Sequence, residues 1–293
     1  MPFQSVDEIL SARRSEGLYR YLLERFAAYS GVSGVQPKVL IRDETATLQR
    51  VSPSHKGATH IVKFWDDPAD FPQLAANEYF CLKAAERAGF EVPRFRLSDD
   101  ASALVIDRFD LRADGTYRGF EDFCVLNARS TAEKYRGSCE TALLKRFQQF
   151  ANSRKVMNDL ETLYSLIVFN CAIRNGDAHL KNFGILYDDV QGEARLAPAY
   201  DLVTTTAYIP VDAMALTLNG STNWPSRKEL QRLGETRIGL APSQVRRIFE
   251  RIGDALADTA KDLEAYRREH PAFHEIGNRM LEVWRNHDKS KND

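Results

Sequence analysis

The period of the apolar positions changes along the chain, and the change divides it. In the first third they come in short blocks: Val39-Leu40-Ile41, Thr45 to Val51, Thr59-His60-Ile61-Val62-Lys63-Phe64, Phe95 to Leu97 and Ala103 to Phe109. Blocks rich in β-branched and aromatic residues predict strands, and the nearly continuous run at 103–109 suits a buried one. Residues 6–29 predict an amphipathic helix with Ile9, Leu10, Leu18, Leu22 and Phe26 on one side. A second helix is predicted to open at Pro72 and end near Gly89, with Leu74, Ala75, Tyr79, Leu82 and Ala85 at helical spacing. Farther on the spacing is mostly helical, predicting helices over 140–150, 155–173, 242–257 and 272–287. The pattern predicts an α+β chain of two unlike lobes joined near 108–115. A small β-rich lobe spans residues 1–109 and a larger, mostly helical lobe spans 110–293.

Composition narrows the class without naming it. The 293 residues are 43% hydrophobic and 28% charged, ordinary for a globular protein. A net charge of −1 gives no bulk attraction to nucleic acid or membranes. The four cysteines, at 81, 124, 139 and 171, form no Cys-x-x-Cys pair, which points to thiols in a reducing compartment. With no signal-peptide core and no window apolar enough to span a bilayer, the chain reads as soluble and cytoplasmic. Basic clusters such as Arg246-Arg247 are interrupted by acids such as Glu250 and read as solvated helix faces.

The chemistry concentrates in Asn175-Gly176-Asp177-Ala178-His179-Leu180-Lys181-Asn182-Phe183. The Asn-Gly pair is predicted to break the helix over 155–173, leaving the polar cluster on a loop after a rigid element. Asp177 and Asn182 are five positions apart, the spacing of the base and the metal-binding Asn in a kinase catalytic loop. Asp201, nineteen positions after Asn182, follows a predicted hairpin that returns it to Asn182. One Asp, one Asn and two phosphates suit Mg²⁺, which prefers hard oxygens and few protein carboxylates. The bland alternative for Asp201 is a turn cap. His179 and Lys181 read as nucleotide contacts, with a structural histidine or an Asp-x-His metal pair as alternatives for His179.

Upstream, Lys63 ends an apolar strand and Glu78 lies fifteen residues later on the helix from Pro72. They read either as a strand lysine paired to a helix glutamate for the α/β-phosphates, or as a solvated lysine and an exposed glutamate. The loop Gly31-Val32-Ser33-Gly34-Val35 could bring backbone N–H groups to phosphates, although it lacks Gly-x-Gly-x-x-Gly spacing.

These residues occur in the order of a kinase, but Asn175-Gly176 stands where His-Arg is usual and no Ala-Pro-Glu segment appears. Gly34-Val35-Gln36-Pro37-Lys38, His60 to Lys63, Asn77-Glu78-Tyr79-Phe80-Cys81, Asn175 to Phe183 and Ala197 to Asp201 resemble HipA-type serine/threonine kinases, toxins of bacterial toxin–antitoxin modules. Only about thirty residues precede the glycine-bearing loop, which resembles the short HipT kinases, whose missing N-terminal piece is a separate HipS protein beside the antitoxin HipB. The resemblance implies a bilobal protein-kinase-like fold that uses ATP and Mg²⁺. Asp177 would be the catalytic base, Asn182 and Asp201 the metal ligands and Lys63 the phosphate contact. Val32, Ser33, Gly34 and Val35 would lie on the nucleotide, and Asp107 and Phe109 would offer backbone groups to adenine. Ser33, and second Ser30, would be the autophosphorylation site. Implied partners are a HipB-like antitoxin, a HipS-like protein and an aminoacyl-tRNA synthetase substrate, tryptophanyl favoured and glutamyl second. DNA would be reached only through the antitoxin.

Overall fold

The computed structural model describes residues 4–11, 38–43, 58–64, 71–152 and 155–289. They fall into two compact units, one built from Met1–Tyr79 with Pro93–Arg118, the other from Phe80–Val92 with Gly119–Asp293. Among the described residues no helix is long and apolar enough to cross a membrane.

The first unit is an antiparallel sheet of β1 (Lys38–Ile41), β2 (His60–Phe64), β3 (Phe95–Leu97) and β4 (Ala103–Asp107), in the order β1-β2-β4-β3. Side chains alternate between the faces of a strand. One face accordingly gathers Val39, Ile41, Val62, Phe64, Ala103 and Val105, which α1 (Val6–Ser11) covers with Val6 and Ile9. The opposite parity carries Leu40, Lys63, Leu104 and Ile106, and these are buried as well. Glu78 of α2 (Leu74–Arg87) meets this second face. The sequence predicted the first helix out to residue 29, and the part beyond Ser11 lies outside the described residues, as does the block Thr45 to Val51.

The second unit contains an antiparallel sheet of β5 (Gly119–Asp122), β6 (Gly184–Tyr187) and β7 (Ala194–Leu196). A short helix α3 (Phe123–Leu126) follows β5, capped by Asp122. The segment predicted as one helix over 140–150 is a π-helical stretch, Cys139–Lys145, running into α4 (Arg146–Phe150). Helix α5 (Val156–Ala172) is buried through most of its length, with Leu160, Leu163, Tyr164, Ile167 and Val168 in the core. Its Tyr164 hydroxyl donates to the Leu230 carbonyl at 2.9 Å on α6 (Arg227–Arg237), a helix not foreseen from sequence. Helix α7 (Pro242–Glu269) runs past its predicted end, because Thr259 and Leu263 prolong the buried stripe of Val245, Ile248, Ile252 and Leu256. It packs on α8 (His274–Lys289), and Phe80 stacks at 5.8 Å on Phe273 beside that contact.

Candidate active site

The two units supply separate groups of candidate residues. In the first, Lys63 and Glu78 are 4% and 0% exposed, and Lys63 Nζ lies 2.5 Å from Glu78 Oε1. The solvated alternative therefore fails for both residues, since α2 covers the face where β2 directs Lys63. A charge pair so deep has lost its hydration, and the close attraction between the two charges offsets part of that loss. At the end of β4 the Asp107 carboxylate faces His60 Nε2 at 3.2 Å and Arg96 at 3.8 Å. Phe109 follows in a turn, half-buried. Ser30, Val32, Ser33, Gly34 and Val35 lie outside the described residues.

In the second unit residues 173–183 join α5 to β6. The helix ends before the Asn-Gly pair: its last residue is Ala172, and Arg174 adopts a left-handed conformation, φ 54°. Gly176 is required for space, because a Cβ there would lie 2.0 Å from Asp212 Oδ2 and 2.7 Å from the Ala213 carbonyl. Buried Asn175 ties the loop together. Its Nδ2 donates to Asn170 Oδ1 at 2.7 Å and to the Asp201 carbonyl at 3.3 Å, while its Oδ1 accepts the Asp177 N–H at 3.2 Å.

The β6–β7 hairpin then closes the arrangement. Ala197 N–H donates to the Gly184 carbonyl at 2.9 Å, so the chain leaves β7 beside the point where it entered β6. Asn182 and Asp201 consequently meet, Asn182 Nδ2 to Asp201 Oδ2 at 3.1 Å. Asp201 has φ 53°, an uncommon conformation for a non-glycine residue, and such strain clusters at functional sites. Tyr200 donates its hydroxyl to the Lys181 carbonyl at 2.7 Å, a second link between the two segments.

The remaining loop residues differ in what surrounds them. Asp177 is half exposed, and Tyr135 donates its phenol to Asp177 Oδ1 at 2.6 Å. Burial, followed by the bond to Asp177, raises the Tyr135 hydroxyl above its ordinary range. His179 is buried, with Nε2 3.9 Å from Asp177 Oδ1 and no hydrogen-bond partner for Nδ1 among the described residues. Burial lowers its pKa, which favours the neutral ring. Lys181 is held by Asp122 Oδ2, the same carboxylate that caps α3 through Oδ1. Neither Tyr135 nor Asp122 was marked by sequence; they stand 42 and 59 residues from the loop residues they bind.

Among the described residues no group of three or more His, Cys, Asp or Glu side chains could hold a metal ion. The pair Asn182 and Asp201 nevertheless fits a cation shared with phosphates. Asp201 offers a carboxylate, and the Asn182 Oδ1, which accepts the His179 N–H at 3.0 Å, retains a second lone pair.

Solved structures place this arrangement in a kinase-like fold. HipA of the Shewanella oneidensis MR-1 toxin–antitoxin system, solved with HipB and its operator DNA, matches with a TM-score of 0.66 at 21% identity, over 90% of this chain and 67% of that one. The Helicobacter pylori proinflammatory kinase CtkA matches with a TM-score of 0.58 at 13% identity, over 89% and 90%. The chain belongs to the family described as HipA-like C-terminal domain, which matches residues 30–260. Two Sinorhizobium fredii (strain NGR234) proteins are similar in sequence. "Putative kinase Y4mE" is 34% identical over 186 residues, and "Putative kinase Y4dM" is 29% identical over 167. These alignments cover 61% and 52% of this chain, but only 42% and 39% of the relatives' own lengths.

Proposed function

We propose that the chain is an ATP- and Mg²⁺-dependent serine/threonine protein kinase acting as the toxin of a toxin–antitoxin module. The observation that carries the proposal is the 3.1 Å pairing of Asn182 with Asp201, on the loop that bears Asp177, in a chain of the HipA-like C-terminal domain family. Asp177 accepts the proton of the attacking hydroxyl, whose oxygen bonds to the γ-phosphorus as ADP departs. Asn182 and Asp201 hold Mg²⁺, which when bound neutralises charge on the phosphate oxygens. Lys63, fixed by Glu78, contacts the α/β-phosphates, and the neutral His179 supports the loop beside Asp177. Lys181 reaches a phosphate only by exchanging its bond to Asp122. The backbone of Asp107 and Phe109 serves adenine, the segment Val32 to Val35 lies on the nucleotide, and Ser33 is the autophosphorylation site.

An aminoacyl-tRNA synthetase is the proposed target, tryptophanyl before glutamyl, and a HipB-like antitoxin the partner, as HipB is for the Shewanella HipA. The test is incubation of the protein with γ-labelled ATP, Mg²⁺ and a bacterial lysate, followed by identification of the labelled species. Label on a synthetase is expected. Label on a small metabolite would instead make the protein a small-molecule phosphotransferase. No transfer at all would leave a silent kinase fold and refute the proposal.

A further inference from the structure

The reading of Asp177 as the base leaves a geometric problem that one neighbour solves. The Asp177 side chain is 54% exposed and sits on a loop, where a carboxylate samples several rotamers unless something holds it. Among the described residues, its carboxylate receives one hydrogen bond, from the Tyr135 hydroxyl to Oδ1 at 2.6 Å. Tyr135 is itself fixed relative to the loop. The Lys134 carbonyl accepts the Leu180 N–H at 3.1 Å, and the Gly137 carbonyl accepts the Thr217 N–H at 3.0 Å, so the segment is anchored on both sides. The Tyr135 ring meets the His179 ring edge-on at 5.2 Å, and Lys134 Nζ lies 4.8 Å from its centroid.

We infer that Tyr135 is a positioning residue: its hydroxyl pins Asp177 through Oδ1 and leaves Oδ2 to take the proton of the substrate hydroxyl. This inference rests on the proposed role of Asp177. A half-exposed base needs such a partner because a misplacement of about 1 Å is enough to cost a large factor in rate. The same bond has a contrary interpretation, in which the phenol occupies the place of the substrate hydroxyl and holds the enzyme off. The two interpretations predict opposite signs for the same variant.

The experiment compares wild type, Tyr135→Phe, Asp177→Asn and the double variant of the full chain. The readout is transfer from γ-labelled ATP and Mg²⁺ to acid-precipitable protein in a heat-treated bacterial lysate, with the ATP concentration varied. Thermal midpoints establish that each variant is folded. Tyr135→Phe is expected to lower the apparent kcat on the order of tenfold with the KM for ATP unchanged. In the Asp177→Asn background it is expected to have no further effect, because the two residues act as a unit. An unchanged or faster Tyr135→Phe beside an inactive Asp177→Asn overturns the inference and leaves the kinase reading standing. An additive loss in the double variant also overturns it. An Asp177→Asn as active as wild type overturns the role of Asp177 itself.

Discussion

Two ion- or hydrogen-bonded pairs differ sharply in burial. Lys63 and Glu78 are sealed between β2 and α2, almost without exposure. Asp177 and Tyr135 are both about half exposed on loops. The buried pair is a fixed element, since separating it would strand a charge in apolar surroundings. The exposed pair is held by backbone anchors around it and contributes little to folding. The strand-rich unit thus holds a permanently placed cation, whereas the helical unit holds a half-exposed carboxylate whose position depends on small supports.

The largest stability effect is expected from the buried pair. Glu78→Ala should destabilise the protein by about 3–5 kcal/mol, because Lys63 would remain buried without the carboxylate that lies 2.5 Å from its Nζ. A denaturant midpoint shift showing less than 1 kcal/mol would mean that the pair is not sealed in solution. Gly176→Ala comes next, at roughly 1–3 kcal/mol, since the new methyl must displace Asp212 or the Ala213 backbone. The same chemical denaturation series reads it, and label transfer should fall with it, as the loop bearing Asp177 shifts. Trp284→Phe should cost about 1 kcal/mol, through the lost bond from Trp284 Nε1 to Thr204 Oγ1 at 3.0 Å, three residues after Asp201. A neutral result there would show that the segment after Asp201 is held by other contacts.

The buried pair was half legible in the sequence, and the exposed one hardly at all. The period of two in β2 placed Lys63 on a face. Which face is covered depends on α2 folding over it, which no local pattern reveals. Asn182 and Asp201 were legible because a hairpin joins them, so sequence distance converts directly into proximity. Tyr135 was invisible because it reaches Asp177 only through tertiary structure, by way of the bonds at Lys134 and Gly137. Helix α6 escaped notice because its core contribution is confined to Leu230, Leu233 and Gly234 in a polar stretch. Its signal was the capping box of Ser226 and Glu229. Strand β5, Gly-Phe-Glu-Asp, lacks alternation altogether and is defined by its pairing with β6.

The smallest stability effect and the largest functional one meet in the same variant. Asp177→Asn should change folding stability by no more than about 0.5 kcal/mol, as a half-exposed substitution with similar shape. Transfer from γ-labelled ATP to lysate protein should meanwhile fall by roughly 10²–10⁴, the usual contribution of a general base. A folded Asp177→Asn variant that transfers label at the wild-type rate would contradict the proposed role of Asp177 as the base.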